Sequence, residues 1–365
     1  MAHVRKVSRK KASGKAAHAW QVRYRDPDRV EKSRTFRTRD EAERFARKVE
    51  VSKDEGSYID PALGKTLFLE WAQDWLISSA PGLKPSTLSG YRSLLRSHIL
   101  PVFGNVPLAK VRAVDIRRFV GELSDAGMSP SRVRSVYFLV QAVFRSAVES
   151  GYIGRSPCIG VKLPRPVVRE MSFLSADEVK RVAAAVPDQY KALIYVLAYA
   201  GLRWGEAAAL RRKRVNVLRR RLDVSESLSD VDGQLHFGTT KTHQSRQVAL
   251  PKSLNEQLRL HLEDHVRKDQ AALVFTSPEG EPLRLPNFRR RVWWPALDAA
   301  GIPRSVRIHD LRHTCASLLI AQGAHPKAIQ QHLGHSSISV TLDRYGHLLP
   351  DQQDQVANAL DEIMQ

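Results

Sequence analysis

The spacing of apolar positions changes period along this chain, and each change marks a part. Ala19 to Tyr24 (AWQVRY) alternates large and polar residues as a strand does, with turn chemistry at Arg25-Asp26-Pro27-Asp28. A second strand follows at Ser33 to Thr38. Thr38 or Asp40 caps a helix from Glu41 to Ser52, whose Ala42, Phe45, Ala46 and Val49 share one face. Residues 1–18, rich in Lys, Arg, Ala and Ser, read as a mobile basic arm, and Gly56 to Lys65 as a linker. From Thr66 to Gly151 the period is helical. It predicts Leu67 to Ile77, a second helix capped by Ser86, a third from Val114 to Ala126 started by Asp115 and ended by Gly127, and a fourth from Ser131 to Ser150, opened by Ser129-Pro130 and closed by Gly151.

Pro157, Pro164 and Pro166 make Arg155 to Arg169 the best boundary in the chain. Beyond it Ser175 to Glu178 forms a capping box for a helix at 176–186. The apolar stretch 190–210 reads as a buried helix pair broken at Gly201. Alternation returns over 215–250 around Asp232-Gly233, predicting a small antiparallel sheet. Helices resume near 253, 287, 310, 325, 338 and 352. The expected fold is multidomain and mainly α with small β-sheets: 1–60 a small sheet plus helix, 61–155 helical, 156–169 a linker, and 170–365 an α+β domain.

Charge narrows the class of partner. The 365 residues carry a net +20, divided as +7 over residues 1–60, +6 over 61–160 and +7 over 161–365. A membrane anchor gathers its charge in one basic cluster, whereas an excess in every segment suits a protein that follows a phosphate backbone. Candidate contacts are Trp20, Arg23, Tyr24, Arg34 and Arg37 on the first sheet, and Lys84, Arg92, Arg96, Arg117, Arg118, Arg132 and Arg134 on the helices. Aromatic and Arg side chains on a sheet can equally be ordinary core and solvated edge. Two cysteines, Cys158 and Cys315, cannot build a disulfide framework, and a reducing cytoplasm fits them best. No apolar run approaches the ~20 residues that cross a bilayer, and the basic N-terminus has no hydrophobic stretch behind it, which argues against a secretory signal.

Four short stretches hold the candidate chemistry. In AGLRWGEAAAL, Arg203 follows an apolar helix and Glu206, three residues on, can orient it; alone the pair reads as a surface ion pair. In TTKTHQSRQVALP, Lys241 projects from a hairpin loop and is a movable proton donor, though exposed loop lysines are common. In RIHDLRHTCAS, His309 and Arg312 share a helix face. His309 and His313 stand four apart as helical metal ligands do, but Arg312 lies against any cation there, and His313 reads as a hydrogen-bonded core residue. In QHLGHSSISVTLDRYGH, His335 ends a helix, Ser337 or Ser339 caps another, and Tyr345 is unremarkable by itself. Together the set has a logic. Two Arg grip one phosphate as a five-coordinate phosphorus forms, His donates to the same oxygens or takes a phenolic proton, Lys protonates a departing oxygen and Tyr attacks.

Arg203 in AGLRWGEAAAL, Lys241, His309-x-x-Arg312 in HDLRHT, His335 in LGHSS and Tyr345 in TLDRYGH resemble, in type, order and spacing, the site of the tyrosine recombinases, the phage integrase family. AWQVRYRD and SRTFRTRDEAERFA look like the N-terminal arm-type DNA-binding domain of many integrases. The resemblance implies that 61–155 is a SAM-like core-binding domain and 170–365 the catalytic domain. It further implies a site-specific recombinase of a phage or other mobile element, acting through a 3′-phosphotyrosyl link. Tyr345 would be the nucleophile, Arg203, Arg312 and His335 transition-state stabilisers, His309 the acid/base on the tyrosine side, Lys241 the acid for the leaving 5′-oxygen and Glu206 a support. No metal or other cofactor is expected. The implied partners are double-stranded DNA at attachment sites, three further copies of the chain in a tetramer, a directionality factor and a host DNA-bending protein. The segment Asp354 to Met364 is amphipathic and packs on a neighbouring subunit or its own. A nicking-closing topoisomerase, a non-catalytic DNA-binding repressor and a metal enzyme built on His309 and His313 remain as alternatives.

Overall fold

In the computed structural model the described residues are 2–10, 16–26, 29–55, 58, 60, 62–166, 171–240, 245–348 and 363–364. The chain divides into two compact units, Met1–Val168 and Arg169–Gln365. Among the described residues no helix is long and apolar enough to cross a membrane.

Within the first unit, three antiparallel strands, β1 (His3–Lys10), β2 (Ala16–Arg25) and β3 (Glu31–Phe36), pair in that order. Residues 3–10, expected in a mobile arm, are therefore an edge strand. The cause is register: Val4 pairs with Val22 and Lys6 with Trp20, which carries the two-residue alternation of β2 across to β1. Helix α1 (Arg39–Asp54) starts at a capping box, Thr38 accepting from the Glu41 amide and Glu41 from the Thr38 amide. Ala42, Ala46 and Val49 of α1 pack against Val22 and Tyr24 of β2.

A second core lies among α2 (Phe68–Ser79), α3 (Pro85–Leu94), α4 (Ala113–Asp125) and α5 (Pro130–Glu149). Phe68, Ile99, Ile116, Val136 and Phe144 are buried there, each worth roughly 1.5–3 kcal/mol relative to exposure. Trp71 Nε1 donates to the Val143 carbonyl at 3.1 Å, which satisfies the indole. Ser86 does not cap α3. Pro85 takes the first helical position, where its missing N–H costs nothing, so Lys84 stands at the cap. The helix continues through a π-turn at Leu95–Ile99 to Leu100–Phe103, where Pro101 withholds the amide a regular turn would use.

The second unit is built on α6 (Ala176–Ala185), α7 (Asp188–Tyr195), α8 (Trp204–Ala208) and α9 (Lys252–Asp264) around one large apolar core. Ser175 closes the capping box of α6. After α7 a π-turn, Val196–Ala200, runs into Gly201.

The expected small sheet is two sheets, β4 (Val215–Asn216), β5 (Arg221–Val224) and β8 (Arg246–Ala249) forming one, β6 (Glu226–Val231) and β7 (Gln234–Thr239) the other. Val224 pairs with Arg246 and Glu226 with Thr239. The tip of the hairpin is Asp232-Gly233, both at positive φ. Lys241, expected in a hairpin loop, lies outside the described residues. After a helical run over residues 285–299, the described residues of the unit continue with α10 (Asp310–Ala321), α11 (Pro326–Leu333) and α12 (Ile338–Tyr345). Of Asp354 to Met364, only 363–364 are described.

Candidate active site

Gly201 begins the site. Its φ of +64° ends the helix that α7 opened, and a Cβ there would stand 2.5 Å from Leu333 Cδ2 and 3.1 Å from Cys315 Sγ. The turn frees the Gly201 carbonyl, which accepts from Arg312 Nη1 at 2.5 Å. Two residues on, Arg203 occupies the N-cap of α8, and Glu206 accepts from its backbone amide at 2.9 Å and from its Nη1 at 2.8 Å. The ion pair is buried on the Glu206 side, not a surface pair, because the Glu206 side chain is 1% exposed.

Both guanidinium groups end on the same element. Arg312 Nη2 donates to the Leu333 carbonyl at 2.6 Å and Arg203 Nη2 to the adjacent Gly334 carbonyl at 3.3 Å. These are orphan carbonyls at the C-terminus of α11, where the helix dipole is negative and cations are favoured. Gly334, at φ +68°, ends that helix, and a Cβ on it would lie 2.7 Å from Arg246 Cδ. Arg246 in turn holds both Glu206 oxygens, at 3.1 and 2.7 Å, and donates to the His332 carbonyl at 3.2 Å. Burial by itself would raise the Glu206 carboxyl. The Arg246 hydrogen bonds and charge, with Arg203, overcome it and hold the group down to about 2. Burial lowers Arg312 to about 9, with Arg203 adding repulsion.

α12 brings Tyr345 under this lattice. Ser337 caps the helix, accepting from the Val340 amide at 3.4 Å. Tyr345 is 1% exposed. Its hydroxyl meets His313 Nδ1 at 2.7 Å, and its ring lies nearly parallel to that of His335, 6.2 Å away and tilted 14°. His335 Nδ1 is bound to Thr341 Oγ1 at 2.8 Å. His309, an exposed residue, meets the His313 ring edge-on at 4.9 Å. All three imidazoles are pushed down, first by the protein packed around them. His313 and Arg312 then lower His309 to about 4, the guanidiniums of Arg312 and Arg203 lower His335 to about 3, and Arg344 and Arg307 against Asp310 leave His313 at about 4. Burial raises the Tyr345 phenol, opposed by the charge of Arg312 and Arg344. Among the described residues no group of three or more His, Cys, Asp or Glu is arranged to hold a metal ion.

The structure therefore brings together Arg203, Glu206, His309, Arg312, His335 and Tyr345. Sequence reasoning missed Arg246, Thr341 and the link of His313 to Tyr345. Arg246 carried a signal: it shares a strand phase with buried Val248, which places a charge on an inward face.

The candidate nucleic-acid contacts divide by face. Tyr24 is buried against Phe45 and Tyr58, and Trp20 is part of the same cluster with Arg39 over its ring at 5.5 Å. Both fall on the face of β2 that meets α1, the phase of Val22, so neither stands on the open face of the sheet. Arg23 is exposed on the opposite phase, ion-paired with Glu31 at 3.1 Å. Arg34 is exposed over Phe36 and Phe45, and Arg37 is exposed. On the helices Arg92, Arg96 and Arg132 are exposed, Lys84 is half-buried, and Arg134 lies over the Phe138 ring at 5.4 Å.

Residues 172–352 match the phage integrase family, and residues 67–124 match the phage integrase N-terminal SAM-like domain. The chain is 30% identical to the ICEBs1 integrase of Bacillus subtilis over 80% of its own length and 81% of that protein. It is also 30% identical to a putative prophage phiRv2 integrase of Mycobacterium tuberculosis, over 94% and 92% of the two chains. In fold it is similar to the Tn1549 transposon integrase in complex with transposon right end DNA, with a TM-score of 0.70 at 18% identity, covering 82% of this chain and 99% of the other. It is similar also to a lambda integrase dimer bound to a COC′ core site, with a TM-score of 0.61 at 20% identity and 95% of each chain covered.

Proposed function

The chain belongs to the phage integrase family and is a tyrosine-class site-specific recombinase; from that premise we propose that Tyr345 is the nucleophile that cuts and rejoins attachment-site DNA. The phenol attacks a phosphodiester, forms a 3′-phosphotyrosyl bond and releases a 5′-hydroxyl. Arg203 and Arg312 offer two guanidiniums to the non-bridging oxygens, and His335 is the third donor. His309 acts on the tyrosine side, Lys241 protonates the leaving 5′-oxygen, and Glu206 holds Arg203. The reaction conserves the bond energy in the ester, so neither ATP nor a metal ion is consumed.

The observation that carries this reading is the anchoring of both guanidiniums on consecutive carbonyls, Leu333 and Gly334, one residue before His335, whose ring lies beside that of Tyr345. Preorganised charge of this kind costs no reorganisation as charge develops on the phosphate. Residues 1–60 serve as an arm-type DNA-binding domain, 61–155 as the core-binding domain, and 170–365 as the catalytic domain. Strand exchange needs four active sites, so the working form is a homotetramer on two duplexes, and a lambda integrase tetramer bound to a Holliday junction offers the analogy. A directionality factor and a host bending protein fit the same scheme. With DNA as its substrate the protein works in the bacterial cytoplasm.

The test is a nicked suicide duplex carrying the attachment sequence from the borders of the chain's own gene. The native protein becomes covalently attached in excess EDTA; Tyr345→Phe binds the duplex and does not. Covalent trapping of Tyr345→Phe would overturn the assignment. Relaxation of plasmids lacking an attachment site, without recombination between two sites, would mark a topoisomerase.

A further inference from the structure

The hydrogen bond from the Tyr345 hydroxyl goes to His313, a residue outside the motif set. Both partners are buried, and a phenol sealed in this way needs a place for its proton before its oxygen can reach phosphorus. His313 Nδ1 stands 2.7 Å away, and with the phenol donating, Nδ1 is the acceptor and the ring hydrogen sits on Nε2. Beyond it His309 meets the His313 ring at 4.9 Å and lies at the surface. The three side chains form a file from the buried phenol outward.

We infer that His313 is a further catalytic residue, the base that first takes the Tyr345 proton during cleavage and returns it during religation, with His309 at the outer end of the file acting through it. This rests on Tyr345 being the nucleophile. As the P–Oη bond forms and the P–O5′ bond breaks, the proton passes from Oη to His313 Nδ1, and the 5′-oxygen takes its own proton from Lys241. His313 is left as an imidazolium, and attack by a 5′-hydroxyl on the phosphotyrosine runs the same transfers backwards. The groups that act on His313 are Arg307, His309, Asp310 and Arg312 from its own stretch, and Arg344 and Tyr345 from α12. Three of them are guanidiniums, which disfavour a proton on the ring. A bound phosphodiester brings negative charge to offset them, so the base gains proton affinity when DNA is in place.

His313→Asn tests the role, because its amide oxygen can accept from Tyr345 near the position of Nδ1 but cannot take up a proton. On suicide duplexes with the attachment sequence, cleavage should fall about 100- to 10,000-fold with DNA binding retained. The residual rate should climb with pH in proportion to hydroxide. Replacing Tyr345 in that variant by a more acidic fluorotyrosine should restore part of the rate. A 5′-bridging phosphorothiolate, which needs no leaving-group acid, should rescue Lys241→Ala and not His313→Asn. Cleavage by His313→Asn within about threefold of native, with an unchanged pH profile, overturns the proposal while leaving Tyr345 as nucleophile; covalent trapping of Tyr345→Phe overturns both. If His313→Asn does not fold, the native chain with fluorotyrosine at 345 decides. An acid limb fixed by a histidine stays where it is, and a limb that moves with the acidity of the phenol overturns the role.

Discussion

Arg246 spans the carboxylate of Glu206, one terminal nitrogen on each oxygen, 86 residues before its third contact at the His332 carbonyl. Through Glu206 it bears on Arg203, and through Gly334, whose missing Cβ leaves room for its side chain, on the end of α11. It is a positioning residue. Arg246→Met should cost about 3 kcal/mol of stability in urea titration, because it leaves a buried carboxylate with one partner where there were two. Arg246→Lys keeps the charge but not the two-point grip and should fall between.

The same carboxylate sets an acid limb. Glu206 is held at about 2 against an ordinary 4.5, so its contribution is complete above pH 4.5 and is lost as pH falls from 4.5 towards 2. Linkage puts the loss at about 3 kcal/mol. Melting temperature measured from pH 6 to pH 2 should show it, and Glu206→Gln should lack that part of the slope.

Histidines act earlier on the pH scale. His335 binds its proton only near pH 3 when folded, against 6.5 when free. The unfolded chain therefore takes up the proton first, and stability is lost as pH falls below 6.5. At pH 5 the loss from this one group is about 2 kcal/mol. His335→Gln should make the fall of melting temperature between pH 6.5 and 4 shallower without abolishing it, because His309 and His313 still titrate there. Glu206 has barely begun to titrate in that window.

Gly201→Ala and Gly334→Ala should each destabilise by about 2–4 kcal/mol, combining a left-handed backbone with a collision. Gly201→Ala meets Leu333 and Cys315, while Gly334→Ala meets Arg246. Both should also depress DNA cleavage beyond the stability loss, since the two carbonyls anchor Arg312 and Arg203. The readouts are urea midpoint and single-turnover cleavage at a temperature where the variants remain folded.

In the first unit Tyr24→Ala should cost about 3–5 kcal/mol as a core truncation, whereas Arg23→Ala should leave stability within about 0.5 kcal/mol. Arg23→Ala should instead weaken DNA binding and lower the slope of log K against log salt by about 1. Filter binding between 50 and 200 mM salt, beside thermal melting, separates the two.

How legible this was in the sequence depended on the range of the interactions. Caps and stops were local and readable: Thr38, Ser175, Ser337 and the break at Gly201 follow from residues a few positions apart. The motif residues were readable because type, order and spacing agreed. What the sequence hid was pairing at long range. No local pattern ties Arg246 to Glu206, 40 residues away, or His313 to Tyr345, 32 away. The strand at 3–10 was hidden because its basic residues mask a weak alternation that only β2 makes decisive. Trp20 and Tyr24 showed the alternation of a strand without showing which phase faced α1.

The two arginines take their bearings from a helix end made more than a hundred residues after Arg203 and some twenty after Arg312. While the ribosome is still short of Gly334, Arg203 has only Glu206 and Arg312 only the Gly201 carbonyl to hold it. The grip on both side chains is completed late in synthesis, only after the whole of α11 has been made.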